Sequence, residues 1–172
     1  MTRATRLTPQ QDRTWSLLVG VMMWLPAELD GYLERTVGLS HSEYLALRWL
    51  SHYEAREIHM GRLAATASVT PSHLSRIVAR LEKSGLLVRD ADPTDARRTL
   101  ACLTSAGARM VDEVEPAYVA EVRRCVFDRL EQQGVEQLED LAEAILTPLR
   151  GDCVASLPPR AAQGTDVQPI TQ

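Results

Sequence analysis

Two short helix signals, at 60–67 and 71–84, are separated only by Ser68, Val69 and Thr70. So short a link makes the two helices cross steeply. The second helix is well bounded: Thr70 is placed as an N-cap, Pro71 takes the first helical position where a missing N–H costs nothing, and Gly85 follows as a stop. A steep crossing needs small or apolar side chains where the helices meet, and Leu63, Ala64, Ala67, Val69, Leu74 and Ile77 fall there. This is a helix-turn-helix pattern. Ser68 stands where many such turns carry Gly, so the turn either accepts a positive φ at a cost or is of another type.

In the second helix Leu74, Ile77, Val78 and Leu81 share one side and must face a core. That leaves Ser72, His73, Ser75, Arg76 and Arg80 outward, and small hydroxyl residues and arginines at an exposed helix start suit reading of a DNA major groove. Downstream, 86–89 and 99–103 read as two short strands around a polar segment with Asp-Pro-Thr-Asp turn chemistry. The tip of this hairpin carries Arg97 and Arg98 beside Asp95. Such an arginine suits a narrow, negative minor groove, with Asp95 two residues away to fix the guanidinium's direction.

The remainder reads as helix. Thr8-Pro9-Gln10-Gln11 is a capping box opening a long helix that ends at Gly38, with a kink expected at Pro26. Ser40-His41-Ser42-Glu43 is a second capping box. Thr104 caps another long helix, expected to bend at Pro116, and a last helix covers 135–149. With one Phe in 172 residues, the core must come from Leu, Val, Ala and Met, which favours helices. The fold class is therefore mainly α with a small β-hairpin wing: a winged helix-turn-helix lobe at 39–103, a helical region at 8–38 and 104–149, and a disordered tail at 150–172. The net charge of −4 is unevenly spread: 70–100 holds six basic against four acidic residues, 101–150 five against ten. A locally basic segment suits a local nucleic-acid contact.

The run Leu74-Ser75-Arg76-Ile77-Val78-Ala79-Arg80-Leu81-Glu82-Lys83-Ser84-Gly85-Leu86, the Asp95-Ala96-Arg97-Arg98 wing and Leu103-Thr104-Ser105-Ala106-Gly107, in that order, resemble the MarR family of bacterial transcription regulators. The resemblance spans 8–149. It implies a homodimer whose terminal helices intertwine while the winged lobes dock on successive major grooves of a palindromic operator in double-stranded DNA, acting as a repressor. By the same resemblance Ser72, Ser75, Arg76 and Arg80 contact the major groove or its phosphates, Arg97 enters the minor groove supported by Asp95, and Arg98 meets phosphate. Members of the family are commonly released by a small aromatic or phenolic ligand held between the dimer region and the lobe. Trp15, Met22, Met23 and Trp24, with Tyr44, Arg48, Trp49 and His52, are the candidates to line that crevice; core and dimer packing is the competing reading for each.

No apolar run is long enough to span a membrane and no secretory leader is evident, so the chain is expected in the cytoplasm. Cys102, Cys125 and Cys153 lack metal or redox spacing, and His41, His52, His59 and His73 show no ligand-like spacing with them; no metal or cofactor is expected. With no phosphate loop, nucleophile elbow or paired carboxylates, an enzyme is not expected. A winged helix that docks a protein rather than DNA is the alternative reading.

Overall fold

The computed structural model describes residues 6–53, 56–67, 69–95 and 97–155. Two compact units are found, 1–130 and 131–172. The first runs α1 (Pro9–Val37), α2 (His41–Ser51), β1 (Glu57–His59), α3 (Met60–Thr66), α4 (Pro71–Lys83), β2 (Leu87–Ala91), β3 (Thr99–Leu103) and α5 (Ser105–Cys125), closing with a single 3-10 turn at Phe127–Arg129. The second contains α6 (Gln132–Ala155). Its backbone leaves helical geometry at Arg150 but the helix resumes to Ala155, past the expected end at 149. The rest of the expected tail lies outside the described residues, as do Ser68 and its turn geometry.

Helix starts form where cap chemistry puts them. Thr8 and Ser40 each complete a capping box, with Gln11 and Glu43 returning a bond to the cap's backbone N–H. Thr70 Oγ1 accepts from His73 N at 3.3 Å. Gly38 and Gly85, both at φ 71°, end α1 and the turn after α4 in the left-handed region that a side chain would disfavour. α1 continues through Pro26 and α5 through Pro116 without a break in the assigned helix.

The antiparallel sheet has the order β1-β3-β2, with Ile58 opposite Ala101 and Val88 opposite Cys102. The hairpin is the expected wing, while β1 is an addition to it: three residues are too few to show the alternation by which a strand is recognised. The lobe core gathers Leu47, Leu50, Leu63, Leu74, Val78, Leu81, Leu87 and Ala101 from every surrounding element. Burial of each large aliphatic side chain there contributes roughly 1.5–3 kcal/mol relative to exposure.

α5 leaves the lobe through a tight junction. Thr104 N donates to Leu86 O at 3.2 Å, Thr104 Oγ1 donates to Gly85 O at 2.8 Å, and Gly107 N donates to Thr104 Oγ1 at 3.0 Å. A Cβ on Gly107 would lie 2.1 Å from Leu86 O and 2.7 Å from Leu103 Cδ1, so only glycine lets α5 begin this close.

A second joint ties α2 to α5. Fully buried Tyr44 donates to Glu115 Oε2 at 2.5 Å, and Arg48 grips the same carboxylate through Nε (2.9 Å) and Nη2 (2.9 Å). Tyr118 packs on Tyr44 with ring centroids 4.8 Å apart, and its hydroxyl lies 3.2 Å from His41 Nε2. Asp30 Oδ1 accepts from His41 N at 2.8 Å, bringing α1 into the same cluster. The Arg48 guanidinium, aided by the Tyr44 hydroxyl, holds the Glu115 carboxyl below the usual carboxylate range.

Two outcomes follow from these joints. Gly107→Ala must displace backbone, and should cost about 3 kcal/mol, at the upper end of overpacking penalties, in urea unfolding. Because the folded-state pKa of Glu115 is depressed, its contribution is present above the ordinary glutamate value of 4.5 and is lost as pH falls through the folded value. Unfolding measured across a pH series should therefore show stability falling below about pH 4.5, with a shallower acid limb in Glu115→Gln; equal acid limbs would show that the pair adds nothing.

Candidate nucleic-acid interface

α4 divides its residues as a groove-reading helix must. Leu74, Ile77, Val78 and Leu81 are buried, whereas Ser72, His73, Ser75, Arg76 and Arg80 are exposed. Two hollows flank the helix. One, towards the wing, is lined by Ser75, Arg97 and Arg98 together with Arg89, His59 and Met60. The other, towards α2, is lined by His73, Arg76 and Arg80 together with Asp30, Ser42 and Glu43. Of the eight residues expected to meet DNA, six are thereby placed on the two sides of one helix. Ser72 lies outside both hollows, its hydroxyl 3.2 Å from the capping Thr70 hydroxyl. Asp95 acts from within the wing.

The wing is built on carboxylates. Asp92, 7% exposed, accepts at Oδ1 from Thr94 N (2.7 Å) and Thr94 Oγ1 (2.6 Å), bonds that hold its carboxyl below the ordinary aspartate range. Its Oδ2 lies 3.6 Å from His59 Nε2, tying the turn to the end of β1. Asp95 Oδ1 accepts from Arg97 N at 3.1 Å, and Oδ2 pairs with Arg98 Nε at 3.3 Å. The expected bond from Asp95 to the Arg97 guanidinium is thus replaced: the carboxylate holds Arg97 by its backbone and spends its charge on Arg98. The short i to i+3 reach across the turn favours Arg98, and the exposed Arg97 side chain is left without an ion pair among the described residues.

Three participants escape a reading of the sequence. Arg89 on β2 joins the wing-side hollow and is gripped by Glu82, at the end of α4, through Nε at 2.8 Å and a closer Nη2 contact. His59 enters because β1 carries it there. Glu43 is seen in sequence only as a capping residue, yet its Oε1 pairs with Arg80 Nε at 2.8 Å while its side chain is 2% exposed. Arg89 carries a weak sequence signal, a cation one strand-length from the tip; the other two depend on pairings between distant segments.

The residues expected to line a ligand crevice have different surroundings in the single chain. Tyr44 and Arg48 are committed to Glu115, and Trp49 packs against the lobe core. Trp15, Met22, Met23, Trp24 and His52 are exposed. Neither hollow beside α4 contains any of them. Burial pushes the Cys102 and Cys125 thiols up, which lowers the reactive thiolate fraction. Among the described residues no helix is long and apolar enough to cross a membrane, and no group of three or more His, Cys, Asp or Glu is placed to hold a metal ion.

The arrangement has counterparts. The MarR family profile matches residues 39–99. Sco3205, a MarR family transcriptional regulator from Streptomyces coelicolor solved in complex with DNA, is 32% identical, with a TM-score of 0.82 over 87% of this chain and 94% of that one. CouR from Rhodococcus jostii RHA1, solved bound to p-coumaroyl-CoA, is 30% identical, with a TM-score of 0.65 over 77% of this chain and 90% of that one. The HTH-type transcriptional regulator MhqR of Bacillus subtilis is 29% identical over 111 residues, 63% of this chain and 72% of the relative. With the lobe, the wing and the helix order in common, and a solved relative matched over nearly its whole length, this chain belongs to the MarR family of winged-helix transcription regulators.

Proposed function

We propose that the protein is a cytoplasmic, DNA-binding repressor that grips an inverted-repeat operator as a homodimer and performs no catalysis. The observation that carries this reading is the pair of exposed arginines without ion pairs among the described residues, Arg76 on α4 and Arg97 on the wing. A cation with no partner to leave can meet phosphate or a base edge without first breaking a bond. Ser72, His73 and Ser75 read or flank the major groove with Arg76, Arg97 enters the minor groove, and Arg98, oriented by Asp95, meets phosphate. Sco3205, solved in complex with DNA, supports the DNA-binding part of this reading.

Dimerisation is supported by apolar side chains that a solitary chain would leave in water. On α1 these include Leu17 (60% exposed), Met23 (64%) and Trp24 (70%); on α6, Leu141 (63%) and Leu149 (69%). A helical dimer region at 8–38 and 104–149 would cover them, leaving 39–103 as the lobe. Two-fold symmetry of the protein then asks for two-fold symmetry in the operator, with half-sites about one helical turn apart. Release by a small aromatic or phenolic ligand belongs to the same reading; CouR, solved bound to p-coumaroyl-CoA, supports the capacity of this fold to hold an aromatic acyl group. Such a ligand acts only by binding the DNA-incompetent arrangement better than the competent one.

Selection of randomised duplexes by the purified protein at fixed salt should enrich an inverted repeat. Arg97→Ala should weaken binding to the selected site about tenfold and lower the salt dependence by about one counterion, since one cation is lost. Enrichment of no motif by a folded dimer would favour a protein-docking winged helix instead. In sedimentation the wild type should run as a dimer, and Leu141→Asp, placing a charge on the proposed interface, should shift it to monomer; an unchanged dimer would exclude α6 from the interface.

A further inference from the structure

Glu43 is the most deeply buried charged side chain among the described residues, at 2% exposure. It sits on α2, at the buried back of the hollow whose rim carries His73, Arg76 and Arg80. As the N3 residue of a capping box it needs only the cap's backbone N–H as partner. Here its Oε2 accepts from Ser40 N at 2.8 Å and from Ser40 Oγ at 2.9 Å, while Oε1 is paired with Arg80 Nε at 2.8 Å. A carboxylate this far from water requires compensation by donors and an opposite charge. The pair with Arg80 therefore compensates a buried charge, unlike an exposed ion pair that forms and breaks at little cost.

The other end of the pair is open. Arg80 remains 67% exposed, at the edge of the hollow it shares with His73, Arg76 and Ser42. A guanidinium is rigid and planar, so a carboxylate fixed at its Nε corner also fixes where its two Nη groups can reach. We propose that Glu43 is a positioning residue for DNA binding: by anchoring Arg80 at Nε it presets the Nη groups as a phosphate clamp, and it ties α4 to the start of α2. This rests on the DNA-binding reading above. It assigns Arg80 to backbone recognition rather than base reading, and gives a function to a buried acid that touches no DNA.

The sign of one substitution separates positioning from charge. Glu43→Gln keeps an oxygen for the Ser40 contacts but removes a negative charge from beside a phosphate-binding surface, so electrostatics alone would tighten DNA binding. Positioning requires the reverse. The selected operator duplex would be titrated at several salt concentrations with wild type, Glu43→Gln, Arg80→Lys, Arg80→Ala and the Glu43→Gln/Arg80→Ala double variant, with thermal unfolding of each. We expect Glu43→Gln to bind about five- to tenfold more weakly, Arg80→Ala about tenfold more weakly with a salt slope lowered by about one, and Glu43→Gln to add nothing in the Arg80→Ala background. Arg80→Lys keeps the charge but cannot hold the acid and a phosphate through a rigid plane, so it should lose most of what Arg80→Ala loses. It carries the test if Glu43→Gln fails to fold. Binding by Glu43→Gln equal to or tighter than wild type, or by Arg80→Lys equal to wild type, would overturn the proposal while leaving the DNA-binding reading intact. Failure of the folded wild type to select any duplex would overturn that reading first.

Discussion

The Leu86 carbonyl is the point through which the lobe's parts are held in register. It follows left-handed Gly85, which turns the chain out of α4, and it accepts the Thr104 N–H at the end of β3. Thr104 Oγ1 reaches back to Gly85 O and forward to Gly107 N, where the absence of a Cβ lets α5 begin against the Leu86 carbonyl. The exit of α4, the start of β2, the end of β3 and the start of α5 therefore meet within a few ångströms. Each hydrogen bond contributes only about 1 kcal/mol. Their joint geometry matters more: a wing that leaves and returns through one knot cannot slide along α4, so the offset between Arg76 and Arg97 is set by the backbone.

Around that frame the arginines of α4, of the wing and of the α2–α5 joint fall into two kinds. Arg48, Arg80, Arg89 and Arg98 are each tied to a carboxylate, respectively Glu115, Glu43, Glu82 and Asp95. Arg76 and Arg97 have no ion pair among the described residues. The acids within the lobe are thus largely spent on orienting arginines and on capping turns. This reconciles a net charge of −4 with an anionic partner: field at a binding surface depends on local, unspent charge, and solvent ions screen the acid-rich 101–150 segment beyond about 8–10 Å.

What the sequence made legible is what local chemistry controls. The caps at Thr8, Ser40, Thr70 and Thr104, the stops at Gly38 and Gly85 and the amphipathic division of α4 all depend on residues within one or two turns, and all lie where they were expected. Pairings across long separations were not legible. β1 exists because β3 offers an open edge to Glu57–His59, and nothing in three residues advertises that. Glu43 reads as a cap until α4 covers it. That Tyr44 and Arg48 share one acid, Glu115, some seventy residues on, is likewise invisible in the sequence. In the wing, reach decides the partner, since the carboxylate of Asp95 serves the Arg97 backbone and the Arg98 side chain at once. Residue type announced that these groups would be polar-paired or buried, but the partner is a property of the fold.

The Glu115 cluster bears on how a regulator of this architecture can change state. It is the polar joint between α2 and α5, and Tyr44 within it is wholly buried. Turning α2 against α5 would strip the Glu115 carboxylate of Arg48 and of the Tyr44 hydroxyl together, leaving a charge and a buried hydroxyl unpaired unless new donors arrive in the same movement. Intermediate angles would carry that cost without replacement bonds. Close-packed joints with such all-or-none pairing favour two discrete arrangements over a continuum. An effector able to shift the lobe must then supply, through its own differential contacts, the free energy by which the second arrangement of this joint falls short of the first.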